Sequence, residues 1–186
     1  MHNEEDLVRQ AKQGESQALA QLFEAHFNSL YRYIVFKVGN RADAEDLTQQ
    51  TFLKALESIG SYKWRGLPFS SWLFRIAHNQ TVDYFRKKNK ERNVPLDETR
   101  ALASDDPSKL AEHRLTMAYL ATACQQLSKA QREVIYLRFG SELSIAETSK
   151  VMGKREGAIK VLQHEAVKKL RQIFAAEDGE GSVKKV

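Results

Sequence analysis

The sequence predicts an all-α protein built from two small helical domains, the second containing a helix-turn-helix. Apolar residues recur with a period near 3.6 along almost the whole chain, and helix-capping patterns precede several of these segments. Glycine and proline are scarce, with 9 and 3 residues among 186. The single cysteine, Cys124, excludes an intrachain disulfide framework and favours a reducing, cytoplasmic setting. Because no apolar run reaches the length of a membrane span and the start of the chain is acidic, we expect no membrane insertion and no signal peptide.

Eight helices are predicted, and several of them have a recognisable capping pattern at one end. Asn40 is placed to cap the third helix, while Ser128 and Ser144 are each followed three residues later by Gln or Glu, as in a capping box. Gly140 and Gly153 suit helix exits. The predicted helices span residues 3–13, 16–38, 41–58, 70–89, 109–126, 129–139, 145–152 and 156–174.

A flexible acidic linker is predicted over residues 93–112. This segment holds five acidic and two basic residues and two of the three prolines. It separates residues 1–92, the N-terminal module, from residues 113–175, the C-terminal module; the tail 176–186 is predicted to be disordered. Fully extended, the linker would span roughly 65 Å, almost two turns of DNA at about 34 Å per turn.

The charge of the chain is unevenly distributed. The net charge is +5 and the pI is near 9.3, and both modules are basic whereas the linker and the tail are acidic. Two basic blocks around an acidic joint suggest two modules that share a polyanion. A generic basic surface is the alternative interpretation of the charge alone.

Residues 144–171 have the proportions of a helix-turn-helix, with a short helix, a turn and a longer helix. The apolar stripe predicted to be buried on the longer helix comprises Ile159, Leu162, Ala166, Leu170 and Ile173. Because the N-terminal part of such a helix enters the major groove, the predicted base-contacting residues are Gly157, Lys160, Val161 and His164. The predicted phosphate contacts are Arg155, Lys168 and Arg171. An ordinary amphipathic hairpin with a solvated basic face is the alternative.

Residues 62–90 interleave aromatic and basic side chains, a pattern that suits separated nucleic-acid bases. Stacking of one base on an aromatic ring contributes about 1–3 kcal/mol. In the loop, Lys63, Trp64 and Arg65 are predicted to capture a flipped base. The residues predicted to contact DNA from the following helix are Trp72, Arg75, Asn79, Arg86, Lys87 and Lys88. Trp72 has an alternative interpretation, in which it packs against the loop.

The helix 41–58 carries acidic and amide groups next to this basic surface. Its predicted core residues are Ala44, Leu47, Phe52, Ala55, Leu56 and Ile59. Its polar residues include Asp43, Glu45, Asp46, Gln49 and Gln50. Such groups repel phosphate and suit a protein partner with a basic surface. A solvated helix face is the alternative when the segment is considered alone.

These segments, in this order, resemble the bacterial extracytoplasmic-function (ECF) sigma factors, the two-domain specificity subunits of RNA polymerase. The resemblance covers roughly residues 5–174 and rests on three motifs: DAEDLTQQTFLKAL, FSSWLFRIAHNQTVDYFRKK and LSKAQREVIYLRF with LSIAETSKVMGKREGAIKVLQHEAVKKL. The first two motifs in tandem are specific to the family. The third alone would fit many helix-turn-helix proteins.

The resemblance implies a role for each segment. The polymerase-docking residues would be Asp43, Asp46, Leu47, Gln49 and Gln50, on the clamp helices of the β′ subunit. The 62–69 loop and the next helix would read the −10 element and hold the melted strand, and the last helix would read the −35 element. The implied partners are core RNA polymerase (β′ clamp helices and β flap), promoter DNA and an anti-sigma factor. No cofactor or metal is implied.

The chain departs from the family pattern at several positions. Leu162 and Glu165 stand where the recognition helix of the family commonly carries arginine, so the −35 preference is expected to differ. Thr148 and Ser149 replace small or apolar buried residues, which predicts a less stable first helix in the motif. Arg155 replaces a small polar residue, so the N-cap is weaker but a phosphate contact is gained.

Other functional classes fit the sequence less well. The five histidines are scattered without metal-ligand spacing, and no glycine-rich phosphate loop is present, so we do not expect an enzyme. Cys124 lies in an apolar helix and is predicted to be a core residue. A helix-turn-helix repressor or activator that acts without polymerase would explain residues 144–171 but not the 41–58 helix or the aromatic loop. A protein-interaction adaptor would not explain the basic charge.

Overall fold

A computed structural model describes residues 4–63, 68–92, 120 and 122–181, which form helices and turns without a strand. The described helices are α1 (Glu4–Lys12), α2 (Ser16–Val38), α3 (Arg41–Ser58), α4 (Phe69–Arg92), α5 (Lys129–Ile135), α6 (Ile145–Met152) and α7 (Glu156–Gly181). A 3₁₀ turn, Ile59–Ser61, follows α3, and a π-helical turn, Tyr136–Gly140, follows α5. Residues 122–125 are also helical. The predicted all-α class is confirmed.

The helix boundaries agree with the predictions to within three residues, except at the end of α7 and after α5. Helix α7 continues to Gly181, so the predicted disorder of 176–186 is wrong for its first six residues. The prediction followed the general tendency of chain ends to be poorly ordered, but a helix already formed gains one hydrogen bond for each further residue that it fixes. Residues 182–186, the linker 93–112 and most of the predicted helix 109–126 lie outside the described residues.

The helix ends are held by the residues predicted to cap them. The Asn40 side chain accepts a hydrogen bond from the Asp43 backbone N–H at 3.1 Å, and both predicted capping boxes, at Ser128 and Ser144, are complete. Gly153 ends α6 with a φ of 62°, a left-handed conformation that glycine adopts without a steric cost. Gly140 ends the π-helical turn instead of an α-helix.

Helices α1 to α4 enclose the main hydrophobic core. Its largest fully buried side chains are Tyr33, Phe69, Phe74, Leu22, Leu30, Ile34 and Leu73. A second, smaller core lies in the C-terminal module and comprises Ala123, Cys124, Leu127, Ala166 and Leu170. Cys124 is buried there, and burial raises the pKa of its thiol. A buried thiol with a raised pKa is a weak nucleophile, which agrees with its predicted place in the core.

The two modules are in contact, an arrangement that the sequence did not predict. Leu137, Leu143 and Val151 of the C-terminal module belong to the same buried cluster as α1 to α4, and α6 packs against α4. The ring of Tyr136 stacks on Phe36 of α2 with centroids 4.6 Å apart and an interplanar angle of 22°. We call this contact between the two modules the seam.

Candidate nucleic-acid interface

Helix α3 presents one exposed polar face. Asp46, Gln49 and Gln50 are all exposed, and Leu53, one helical turn further on, is 60% exposed. These four residues follow the i, i+3, i+4, i+7 spacing of a single helix face. We call them the docking face. Leu47 was predicted to join this surface, but it is buried, so it can only support the face from the core.

Leu53 is a candidate docking residue that the sequence analysis did not include, and Leu56 was wrongly predicted to lie in the core. Leu56 was predicted to be a core residue, but it is 45% exposed. The core on this side of α3 is filled by Phe52, whose ring packs against Phe23 with centroids 4.5 Å apart. The seven-residue spacing between Asp46 and Leu53 could have identified the missed residue.

Asp43 is engaged within the chain. The Tyr84 hydroxyl of α4 donates a hydrogen bond to the Asp43 carboxylate at 2.6 Å, and the Lys88 ammonium lies 3.5 Å from the same carboxylate. Lys88 also donates to the Tyr84 hydroxyl. Burial, followed by the hydrogen bond to Asp43, raises the pKa of Tyr84. These contacts join α3 to α4. Asp43, predicted to bind polymerase, and Lys88, predicted to bind DNA, therefore partly neutralise each other's charge.

Three aromatic rings pack at the start of α4. Trp72 lies 5.1 Å from Tyr62 and 5.3 Å from Phe69, measured between ring centroids, and Tyr62 and Phe69 are buried. The packing interpretation of Trp72 is therefore confirmed, although the side chain remains partly exposed. Lys63 is exposed, whereas Trp64 and Arg65 lie outside the described residues.

The outward face of α4 continues from this aromatic cluster. Arg75, Asn79, Arg86 and Lys87 are exposed, and the predicted buried residue Leu73 is fully buried. Arg86 pairs only loosely with Asp83, at 3.4 Å on the surface. Arg75 and Asn79 thus lie within two turns of Trp72, whereas Arg86 and Lys87 lie roughly 21 Å further along the same helix.

Helices α6 and α7 form the predicted helix-turn-helix. Ile159, Ala166 and Leu170 are buried as expected. The residues predicted to contact bases are all exposed: Gly157, Lys160, Val161 and His164. Val161 is 62% exposed, although a valine gains stability from burial. Arg155, Lys168 and Arg171, predicted to contact phosphate, are also exposed.

Gly157 stands in open space. A Cβ atom at this position would meet no heavy atom within 4 Å, so the packing of the chain itself does not require glycine there. Close approach of the backbone to DNA stays the predicted reason for this residue. Glu165 is exposed beside the same surface.

Thr148 and Ser149 are buried in α6, as their positions predicted. The Ser149 hydroxyl donates to the Ala146 carbonyl at 2.8 Å. The Thr148 hydroxyl is fully buried and has no hydrogen-bond partner among the described residues. An unpaired buried hydroxyl is unfavourable, which agrees with the predicted lower stability of this helix.

Two features are absent from the described part of the chain. None of its helices is long and apolar enough to cross a membrane. No group of three or more His, Cys, Asp or Glu side chains in that part is arranged to hold a metal ion.

Comparison with known proteins shows to which family this chain belongs. Residues 22–91 match Sigma-70 region 2, and residues 123–172 match Sigma-70 region 4. The ECF RNA polymerase sigma factor ShbA of Streptomyces griseus is 30% identical over 178 residues, which cover 90% of this chain and 93% of ShbA. The chain belongs to the ECF sigma factor family.

Two further relatives agree with this assignment. The ECF sigma factor BldN of Streptomyces coelicolor is 41% identical over 173 residues, covering 91% of this chain but only 65% of BldN. The solved structure of CnrH in complex with the cytosolic domain of CnrY has a TM-score of 0.69 and 26% identity, and covers 91% of this chain and 96% of CnrH. The sigma factor is therefore a transcription initiation factor, and region 2 includes α3 and α4 while region 4 includes α5 to α7.

Proposed function

We propose that this sigma factor binds core RNA polymerase through α3, reads the −10 element with the 62–69 loop and α4, and reads the −35 element with α7. The observation that carries this is the separation of three exposed faces on three elements. One face is acidic and amide-rich, and two are basic. A repressor that binds DNA alone would have no use for the first face.

The docking face suits a protein partner. Its charged and amide groups lie within two turns before Leu53, an exposed apolar side chain that would lose its contact with water on binding. Clamp helices of the β′ subunit are the partner that the family resemblance implies, and the β flap would meet the C-terminal module. Because Asp43 is occupied by Tyr84 and Lys88, we assign it a supporting role.

The −10 reader combines rings and cations. Trp72 stands at the edge of the aromatic cluster, where a base from the melted strand could stack, and Arg75 and Asn79 extend the same surface. Arg86 and Lys87 would contact the backbone of that strand. Lys63, Trp64 and Arg65 remain the predicted capture loop.

The −35 reader is α7. Lys160, Val161 and His164 would face base edges, while Arg155, Lys168 and Arg171 would fix the helix on the phosphates. Glu165, exposed on the flank of this surface, would either accept a hydrogen bond from a cytosine amino group or repel phosphate. In this assignment the linker 93–112 joins residues 1–92 to residues 113–175 and follows the polymerase between the two promoter elements.

Partner and location follow from the same assignment. CnrH is solved in complex with the cytosolic domain of CnrY. We assign this chain an anti-sigma factor that covers its polymerase-binding and DNA-binding faces. The chain would act in the cytoplasm, where RNA polymerase works, and would carry out no catalysis of its own.

Run-off transcription with purified core RNA polymerase on genomic fragments tests this function. The expected result is initiation at defined promoters only when the sigma factor is present. Duplex DNA alone should be bound weakly. Tight and specific duplex binding without polymerase, together with no initiation, would favour the repressor instead.

The docking face has its own test. Asp46→Ala combined with Gln50→Ala should weaken association with core polymerase roughly tenfold, which is about 1.4 kcal/mol, because two central polar contacts are lost. A matched control is Glu24→Ala with Gln21→Ala, which removes the same two types of group from an exposed side of α2. If the two double variants bind core polymerase equally well in a titration, the docking face does not bind the clamp helices.

A further inference from the structure

Helix α1 holds both ends of the predicted −10 loop. The Lys12 ammonium donates a hydrogen bond to the Tyr62 carbonyl at 2.9 Å, where the loop begins. A Glu4 carboxylate oxygen accepts from the Phe69 backbone N–H at 3.2 Å, where the loop ends and α4 starts. Between them, the two contacts join parts of the chain that are 50 and 65 residues apart.

The Glu4 contact is chemically well matched to its position. The first N–H groups of a helix have no partner within the helix, and a negative charge there interacts favourably with the helix dipole. The other Glu4 oxygen lies 3.0 Å from His26 Nε2, and the His26 ring packs against Phe69 with centroids 5.7 Å apart. The hydrogen bond with His26 is the main reason that the pKa of Glu4 is lowered, although burial opposes it.

We propose that Glu4 and Lys12 are positioning residues for promoter melting: α1 fixes the aromatic cluster of Tyr62, Phe69 and Trp72 in the orientation that receives the −10 strand. This role rests on the proposed function of α4. Neither residue needs to contact DNA. Without these two hydrogen bonds, α1 would still be held by its buried Val8 and Ala11.

Holoenzyme reconstituted from core polymerase and full-length variants tests these positions. Glu4→Ala with Lys12→Ala should lower binding of a single-stranded −10 oligonucleotide roughly tenfold, because a base stacked on misplaced rings loses most of its contact. Promoter melting, followed by permanganate reactivity, should fall in parallel. Replacing Glu4→Ala by Glu4→Gln in the double variant keeps an acceptor for the Phe69 N–H. This change should recover part of the lost oligonucleotide binding.

Arg9→Ala is the matched control, because Arg9 lies on the same helix and pairs with exposed Asp6. It should bind the oligonucleotide like the unmodified protein. If the double variant retains normal strand binding while unmodified holoenzyme initiates at promoters, the positioning role is wrong but the proposed function stands. If the double variant loses polymerase association as much as strand binding, α1 has a general structural role instead.

A second, independent observation concerns the seam. Glu133 of α5 is 6% exposed and meets three groups of the N-terminal module. The Tyr33 hydroxyl donates to its carboxylate at 2.6 Å, His78 Nδ1 lies 2.7 Å away, and the Lys37 ammonium lies 3.1 Å away. Burial opposes ionisation of Glu133, but the contacts with His78, Lys37 and Tyr33 outweigh it and lower its pKa to about 2.

Closed modules are incompatible with a two-site promoter complex. Elements at −10 and −35 are separated by about 25 base pairs, or about 85 Å along the duplex at 3.4 Å per base pair. A compact module of fewer than 100 residues is on the order of 34 Å across, so two modules in contact reach at most about 70 Å from end to end. The linker can add its reach only when the seam opens.

We infer that the Glu133 cluster is a latch that keeps the free sigma factor closed, and that binding to polymerase and promoter must open it. Both reading faces are exposed in the closed form, so the latch acts through the spacing of the modules and does not cover their surfaces. A buried carboxylate is stabilised only by neighbours that supply hydrogen-bond donors and a positive charge. The Glu133 contacts therefore make the closed arrangement of the modules specific.

A charge exchange across the seam tests the latch. Glu133→Lys places a cation against Lys37 and His78, and the free protein should expand from a radius of gyration of about 16 Å, the value for a compact chain of 186 residues, to a clearly larger one in small-angle X-ray scattering. Adding Lys37→Glu restores an opposite-charge pair and should restore the compact form. Helical content should stay close to normal in both.

Glu142→Lys is the charge-matched control, because Glu142 is exposed in the same module. It should leave the radius of gyration unchanged. An unmodified protein that is already extended, an unchanged radius in Glu133→Lys, or failure of the second substitution to close the chain would each overturn the latch. The need for opening rests on the proposed promoter function, but scattering tests the closed state without DNA or polymerase, so the latch can fail while that function stands.

Discussion

The two helices proposed to read promoter DNA are held in very different ways. Helix α4 packs against α1, α2, α3 and α6. Two of its predicted DNA residues already have partners within the chain: Trp72 in the aromatic cluster and Lys88 beside Asp43. On α7, by contrast, Lys160, Val161 and His164 all point away from the core.

Because of this difference, fold stability and DNA recognition depend on the same side chains in α4 but on different side chains in α7. Residues on α4 contribute to both, because the same side chains that would meet the melted strand also fix the fold around it. Residues on the outer face of α7 contribute little to folding, so they can vary with promoter sequence at small cost. Substitutions should therefore couple stability and DNA binding on α4 and separate them on α7.

The largest expected effect comes from removing the carboxylate that ties α2 and α4 to α5. Glu133→Ala leaves Lys37 without its anion and His78 without its hydrogen-bond partner, which should lower the free energy of unfolding by about 3–4 kcal/mol, toward the lower end for a broken buried pair because both side chains are partly exposed. Urea unfolding measures this. Glu133→Gln keeps the size of the side chain and should lose less. A change below the error of the measurement in the alanine variant would mean that α4 is not braced through the seam.

The same carboxylate predicts how stability responds to acid. The pKa of Glu133 is about 2 in the folded chain and 4.5 as an unperturbed group. Because the folded value is the lower one, its contribution is fully present above pH 4.5 and is lost as pH falls toward 2. The difference in unfolding free energy between the unmodified protein and Glu133→Gln should therefore shrink across that interval. A constant difference would contradict the assigned pKa.

Trp72→Ala should show the coupling expected for α4. Loss of the ring contacts with Tyr62 and Phe69 should cost about 3 kcal/mol of stability, near the lower end for a buried aromatic residue because Trp72 is partly exposed. Binding of a single-stranded −10 oligonucleotide by holoenzyme should fall as well. Trp72→Phe keeps a ring and should retain most of the stability. A variant that is stable but defective in strand binding would break the comparison between the two helices.

Lys160→Ala should show the separation expected for α7. Stability should change by less than about 0.5 kcal/mol, as for an exposed residue, while discrimination at one −35 base pair should fall by about 1–3 kcal/mol. Lys168→Ala supplies the contrast, because a lost phosphate contact should weaken binding uniformly and reduce its salt dependence. Equal losses for Lys160→Ala on promoters with intact and altered −35 elements would argue against base readout.

Thr148→Val should have the smallest effect, and it should be stabilising. The substitution replaces a fully buried hydroxyl without a described partner by a methyl group of similar size, which should raise the unfolding free energy by about 1 kcal/mol. Ser149→Ala is the control, since its hydroxyl is bonded to the Ala146 carbonyl and its loss should give no gain. Thermal unfolding of the two variants compares them. A destabilised valine variant would show that the hydroxyl has a partner.

Local patterns predicted most of the fold. The bounds of α2, α3 and α6 follow from apolar periodicity and from the caps at Asn40 and Ser144, because these interactions lie within a few residues of each other. The outward residues of α7 were predicted for the same reason. Position within a helix was less informative on α3, where Leu47 is buried and Leu53 and Leu56 are exposed. Neighbouring helices decide which part of an apolar stripe is covered.

The sequence by itself determined the helices, the two modules, their basic charge and the family motifs, since each depends on composition or on contacts between near neighbours. Only the tertiary structure decided which polar groups find partners across the chain. Glu4 with Phe69, Asp43 with Tyr84 and Glu133 with Tyr33 are 65, 41 and 100 residues apart. Such pairs have no local pattern, because they depend on how the helices are stacked in space.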